Sequence, residues 1–537
     1  MVKTHERGMI MTDYLIQNVL VVDGSGAAPY RGDVAVENGK IAAIGDLSNL
    51  EAACRIDGAG RYLTPGFIDV HRHGEAAAFR EGYGMAELAQ GLTTVFNGNC
   101  GLSMAPVQGP FRQEILDYLA PVVGDMPEGC DFTTVAEYKQ QLARVPQRIH
   151  NGLLVGMGTL RGCAAGFRDG ELTQEEYEFI WKLLEQGLAD GAQGVSLGLG
   201  YAPECFYDTK GMIKSLEPLR NSGKVITVHM RQEGDEVVEA LEEMLLVAKE
   251  LNTPMQISHL KAIGTRNWQR CVPKMIELLR QARAEGVDVT CDVYPYPAGS
   301  TQLIHVLPPE FQAGGMDCLT EALLDPEKRV VMKERMKTGS DFENISLLVG
   351  FDNIQATSLR MPENQAYEGK TIVEIAAMQG KDVYDALFDL LASEHCTPAM
   401  IDRITHDNDI DAILKEPYSS VISDATYPEN GLMHPRVFGN IPHLLEHYVR
   451  ERGLLTIEEA VHKISGLPAW RFGLEHKGKI AVGADADLCL FDLKNIHQTG
   501  TWTKPDQLAA GMDTVFVMGK PAILEGQFTD HFGGQIL

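Results

Sequence analysis

The sequence predicts an α/β fold: a closed (β/α)8 barrel of the TIM type, an insertion over its mouth, and a small β-sandwich domain formed by both chain ends. Three observations predict it. Eight apolar, strand-like runs alternate with amphipathic helical stretches through the middle of the chain. Two β-rich segments broken by Gly, Asp and Asn turns bracket that middle. No GxGxxG opens a helix after a strand, so a doubly wound dinucleotide fold has no support.

In chain order, residues 1–12 read as a disordered leader, because they lack the apolar stretch and small-residue cleavage site of a secretory signal. Residues 13–64 hold YLIQNVLVVDG, GDVAVENGKIAAIG and RYLTP, and residues 474–537 hold GKIAVGADADLCLFDL and DTVFVMGKPAILEGQF. These two ends are expected to pair into one split domain. The barrel is expected over 65–473, entered through PGFIDVHRH. Its strand candidates are GLTTVFNGNC, NGLLVGMGTL, AQGVSLGLG, KVITVHM, TPMQISHL, DVTCDVYPY, SLLVGF and SSVISDA. Helical patterns such as EEYEFIWKLLEQGLADG and PKMIELLRQARAEG separate them. A polar helical stretch at about 308–370 is longer than a normal barrel connection and reads as the insertion.

At 537 residues the chain exceeds one ordinary domain, and 44% hydrophobic with 23% charged residues suits a large, water-soluble core. No uncharged apolar run approaches the roughly 18 residues of a membrane span. With 47 basic against 74 acidic side chains, the net charge of −27 repels nucleic acid and anionic membranes. The ten cysteines show no CxxC and read as reduced thiols of a cytoplasmic protein. A homo-oligomer is compatible with all of this.

In a barrel, the residues closing each strand point into the active-site mouth. PGFIDVHRH ends in His71 and His73, two apart and hence on the same side of an extended chain. TTVFNGNC ends in Cys100, KVITVHM carries His229, MQISHLK carries His259 and Lys261, and SVISD ends in Asp424. Imidazole and thiolate are ligands that zinc prefers, and a carboxylate on another strand end can bridge or act as the base. Taken singly, each residue has a structural alternative: Asp424 as a helix cap, Lys261 as a surface ion pair, Cys100 as a core thiol.

The pattern resembles the amidohydrolase superfamily: HRH after PGFIDV, the closing GADADL and the β-rich ends carry the likeness. GLTTVFNGNCGLS, VHMRQEGDE, ISHLKAIG, DVYPYPAGST and the HPRVFG after SDA are more narrowly similar to its D-aminoacylase branch. The resemblance implies a zinc-dependent hydrolase whose substrates are small N-acyl-D-amino acids. It implies a tight zinc site on Cys100, His229 and His259, a second, weaker metal position at His71 and His73, and Asp424 as general acid/base. It also implies that Lys261 and Arg436 hold the substrate carboxylate while Tyr201 and Ser300 line the pocket.

Three positions depart from the branch. Arg72 stands where relatives carry a small hydroxyl residue, Met157 stands where histidine is frequent, and SDAT replaces SDG. A cyclic-amide hydrolase of the dihydroorotase or hydantoinase kind is the competing reading within the superfamily, and an inactive barrel serving as a scaffold is the competing reading outside it.

Overall fold

The computed structural model describes residues 11–428 and 430–537. Ten of the twelve residues expected as a leader lie outside that range, and Thr12 already belongs to a strand, Thr12–Val21.

Eight parallel strands form the barrel: β1 (Phe67–Asp69), β2 (Leu92–Asn97), β3 (His150–Gly156), β4 (Gly194–Gly198), β5 (Val225–His229), β6 (Met255–Ile257), β7 (Val289–Val293) and β8 (Ser419–Val421). Just beyond β1 and β8, Arg72–His73 pairs in parallel with Ala425–Thr426, and Asp424 N donates to His71 O at 2.9 Å. These bonds join the last strand to the first. Every residue of β2 and β3 is buried, as parallel strands covered on both faces require.

The helices follow from ordinary local signals. Thr173 and Glu176 form a capping box at the start of Gln174–Ala189, whose stripe of Tyr177, Ile180, Leu183 and Leu184 faces the barrel. Val237–Leu251 buries Val237, Leu241, Met244, Val247 and Leu251 and stops at Asn252, which takes a left-handed φ of 47°.

One strand expectation fails. SLLVGF is helical, Ile345–Val349, because Asn344 caps it by accepting from Leu347 N and a five-residue apolar run carries no period that separates helix from strand. Its place in the barrel is taken by the PGFID run as β1. The chain leaves the barrel after β7 and returns only at β8. In between, Ala298–Gln302, Ala399–Arg403 and Ile354–Thr357 form a three-stranded antiparallel sheet with helices around it.

The chain ends form a separate nine-stranded sheet, joined where Tyr62–Pro65 runs antiparallel to Leu488–Phe491. Alternation along that second strand decides its packing. Leu488 and Leu490 enter the sheet's own core with Val19, Val36 and Phe516, while Cys489 and Phe491 enter the barrel-side core.

A buried ion cluster ties the two together. Asp487 lies 2.7 Å from Lys477 Nζ and 3.2 Å from His150 Nε2 at the start of β3. Although burial opposes it, His150 and Lys477 hold the Asp487 carboxyl far below the usual range. Asp487→Asn is expected to lower stability by about 3 kcal/mol at neutral pH, because buried Lys477 then keeps only the Asp485 carboxylate, at 3.0 Å, and His150 loses its carboxylate. A carboxyl with a depressed folded pKa stabilises fully above its unfolded value of about 3.9 and loses that contribution as the pH falls further. Urea unfolding of both proteins should therefore show their gap closing below about pH 4.

Candidate metal centre

The strand ends bring the expected ligands to one point. Cys100 Sγ lies 3.5 Å from His259 Nε2, and His229 Nδ1 lies 3.2 Å from the same nitrogen. His71 Nε2 is 3.2 Å from the sulfur, so Cys100 is shared by two donor groups. The second group is His71, His73, Cys100 and Asp424, with Asp424 Oδ1 at 3.4 Å from His71 Nε2 and 3.3 Å from His73 Nε2. Zinc bonds of about 2.0–2.1 Å to nitrogen and 2.3 Å to sulfur, at tetrahedral angles, place donors roughly 3.3–3.6 Å apart. The observed separations match that spacing, and the residue types are those zinc selects.

Electrostatics fit a cation as well. Burial pushes the imidazoles of His71, His229 and His259 well below their usual range, so they are neutral with lone pairs available. Burial, then the Asp424 and Glu233 carboxylates, pushes the Cys100 thiol well up, a penalty that a neighbouring cation reverses. Despite burial, Arg436 and then His73 hold the Asp424 carboxyl well below its usual range. Buried Nδ1 atoms of His71 and His73 and Nε2 of His229 have no hydrogen-bond partner among the described residues.

Local backbone geometry is unusual at three of these positions. Cys100, His259 and Asp424 all adopt left-handed φ values of 53°, 34° and 53°. Non-glycine residues there cost on the order of 1–3 kcal/mol each and cluster at functional sites.

Residues that sequence reasoning did not single out complete the surroundings. Glu233 Oε1 lies 3.0 Å from His259 Nδ1 and Glu233 Oε2 lies 2.5 Å from Lys261 Nζ. With Nδ1–H donating to Glu233, His259 turns the Nε2 lone pair toward Cys100 and His229. Asp292, near the end of β7, accepts from His259 N at 2.5 Å, and burial raises its carboxyl to about 7. From the insertion, Glu343 accepts from His305 Nε2 at 2.9 Å and forms a third donor group with His229. Glu233 stands inside the VHMRQEGDE motif and Asp292 is a carboxylate within an apolar run, so both left a signal.

The remaining expected residues fall as follows. Arg436 is buried, donates to Asp424 Oδ2 at 3.0 Å and to Ser300 O at 3.2 Å, and has Nε and Nη1 unpartnered among the described residues. Lys261, Tyr201 and Ser300 line one cavity with His73, Cys100, His229, His259 and Asp424. The surface reading of Lys261 and the capping reading of Asp424 do not describe these positions. Arg72 turns into the barrel wall, pairing with Asp69 at 2.9 Å and Glu87 at 2.5 Å. Met157 is buried at the start of a helix, Met157–Ala165, away from the cavity lining.

Comparison with known proteins places the chain in a family. The Amidohydrolase family model matches residues 417–521. The chain is 33% identical to a D-aminoacylase of Alcaligenes xylosoxydans xylosoxydans over 98% of its own length and 97% of that protein. The chain belongs to the D-aminoacylase branch of the amidohydrolase superfamily. An N-acyl-D-glutamate deacylase of the same organism is also 33% identical, over 98% of this chain and 96% of its own. The crystal structure of N-acyl-D-glutamate deacylase from Bordetella bronchiseptica, complexed with zinc and a phosphonate mimic of the tetrahedral intermediate, superposes with a TM-score of 0.82 at 30% identity. That superposition covers 98% of this chain and 99% of the other. Branch membership makes the chain a hydrolase of the amidohydrolase type, and the barrel with its separate end-built sheet is the branch's fold.

Proposed function

We propose that the chain hydrolyses the amide bond of N-acyl-D-amino acids, releasing a carboxylic acid and a D-amino acid. One observation carries this reading: a thiol and two imidazoles from three strand ends converge beside a carboxylate that is itself paired with a buried arginine. Cys100, His229 and His259 would hold a tight zinc, and His71 and His73, with Asp424 and the shared Cys100, a weaker second position. When bound, zinc polarises the acyl oxygen and lets water act as nucleophile near neutral pH.

The chain's own residues supply the rest. Asp424, ionised at neutral pH, takes the proton released by the attacking water and delivers it to the leaving nitrogen. Arg436 uses its unpartnered N–H groups on the substrate carboxylate, and Lys261 Nζ, held between Glu233 and His259, adds a second positive charge beside it. Tyr201, fixed through its hydroxyl to Thr301 Oγ1 at 2.9 Å, and Ser300 form the adjoining wall. With carboxylate and amide both fixed, only one configuration at the α-carbon directs its side chain into the remaining space, and the relatives' named D-substrates support the D-form as that configuration.

The test is incubation with N-acetyl-D-amino acids, their L-forms and a dihydropyrimidine, following amine release and ring opening. Ring opening without release from any D-substrate would replace this reading with the cyclic-amide one. Arg436→Gln is expected to raise KM for an N-acetyl-D-amino acid about 10- to 100-fold, the loss of a charge-assisted contact to the carboxylate, read from steady-state kinetics.

A further inference from the structure

Two acids that the reaction does not use, Asp402 and Glu343, line the cavity, and Glu343 is paired with His305. Asp402 lies on Ala399–Arg403 in the small sheet over the barrel mouth, is 3% exposed, and lines the cavity. Among the described residues no hydrogen bond or ion pair reaches its carboxylate, unlike Glu233 and Glu343, which are each paired. Lys261, His305 and Arg436 act on it electrostatically without contact, and burial still outweighs them, so a cationic ligand in direct contact would stabilise the ionised form.

Space in front of it is kept open. A Cβ on Gly299, directly across the strand pair from Asp402, would come within 3.1 Å of Asp402 Oδ1 and 2.7 Å of Ile404 Cδ1. The walls beside this opening include Ile263, Ile345 and Ile404, a lining suited to a chain of methylenes. Lys261 lines the same cavity, and its charge, with those of His305 and Arg436, acts on the Asp402 carboxylate.

We infer that Asp402 receives a cationic substrate side chain, so that the preferred substrates are N-acyl derivatives of basic D-amino acids, D-arginine and D-lysine. This rests on the deacylase reading and narrows it. The methylenes of such a side chain cover the isoleucine wall while the guanidinium or ammonium group reaches the carboxylate. Glu343 lines the same cavity and adds negative potential, so an acidic side chain is repelled there. Burial raises the Asp402 carboxyl only to about 6, which leaves it largely ionised at neutral pH.

The experiment compares kcat/KM of the zinc-loaded wild type on N-acetyl-D-arginine, N-acetyl-D-lysine, N-acetyl-D-leucine and N-acetyl-D-glutamate. The expected order places arginine and lysine first and glutamate last. In Asp402→Asn, which preserves volume, the arginine-to-leucine ratio is expected to fall by about 30-fold or more, the loss typical of a desolvated charge pair. Leucine or glutamate ahead of both basic substrates, or an unchanged ratio in the folded variant, would overturn the inference and leave deacylation standing. Failure to hydrolyse any of the four would overturn both. The wild-type ranking decides the matter even where the variant does not fold.

Discussion

Cys100→Ala is expected to give a folded protein with little zinc and with activity on N-acetyl-D-amino acids reduced by about 10³-fold or more, since the metal supplies several kcal/mol of transition-state stabilisation. Cys100 has the largest expected effect because its sulfur belongs to both donor groups. His259→Ala should behave similarly. Chelation of the wild type should remove activity, and added zinc should restore it, whereas the Cys100 variant should stay inactive at the same zinc concentration. The checks are metal content by mass spectrometry and initial rates. A variant retaining stoichiometric zinc would remove the sulfur from the ligand set.

Asp424→Asn should separate chemistry from metal binding. The amide keeps the shape of the side chain but carries no proton in the reaction, so kcat is expected to fall by about 10²–10⁴-fold. Zinc held through Cys100, His229 and His259 should remain. Arg436 loses its 3.0 Å ionic partner and keeps the contact to Ser300 O, so the arginine stays near its present position. A variant with more than a tenth of wild-type kcat would mean that another group carries the proton.

The proposed ligands were legible in the sequence for a physical reason: parallel barrel strands deliver their closing residues to one mouth, so His71, Cys100, His229, His259 and Asp424 needed only a correct strand assignment. Their supports were less legible. Glu233 acts on both His259 and Lys261 only because the chain curls back after β5, and nothing in the spacing announces that turn. Asp292 was visible as a carboxylate in a strand, but its task is to accept a backbone N–H from the next ligand strand. Glu343 and Asp402 sit in the excursion between β7 and β8, which extends beyond the expected 308–370 and whose helices and three-stranded sheet are set by tertiary packing. There the apolar run SLLVGF was compatible with either structure, and the Asn344 cap decided it. Arg72, between two proposed ligands, could face either the mouth or the barrel wall, and alternation along the chain sends it to the wall at Asp69 and Glu87.

The end-built sheet has a consequence for biosynthesis. Tyr62–Pro65 finds its partner strand only at Leu488–Phe491, about 420 residues later. At translation rates of about 5–20 residues per second, the amino-terminal strands wait roughly 20–80 s on the ribosome with an unpaired edge. Holding chaperones during that interval, and an intact carboxyl-terminal segment at its end, should therefore govern the soluble yield of this protein more than the stability of its barrel does.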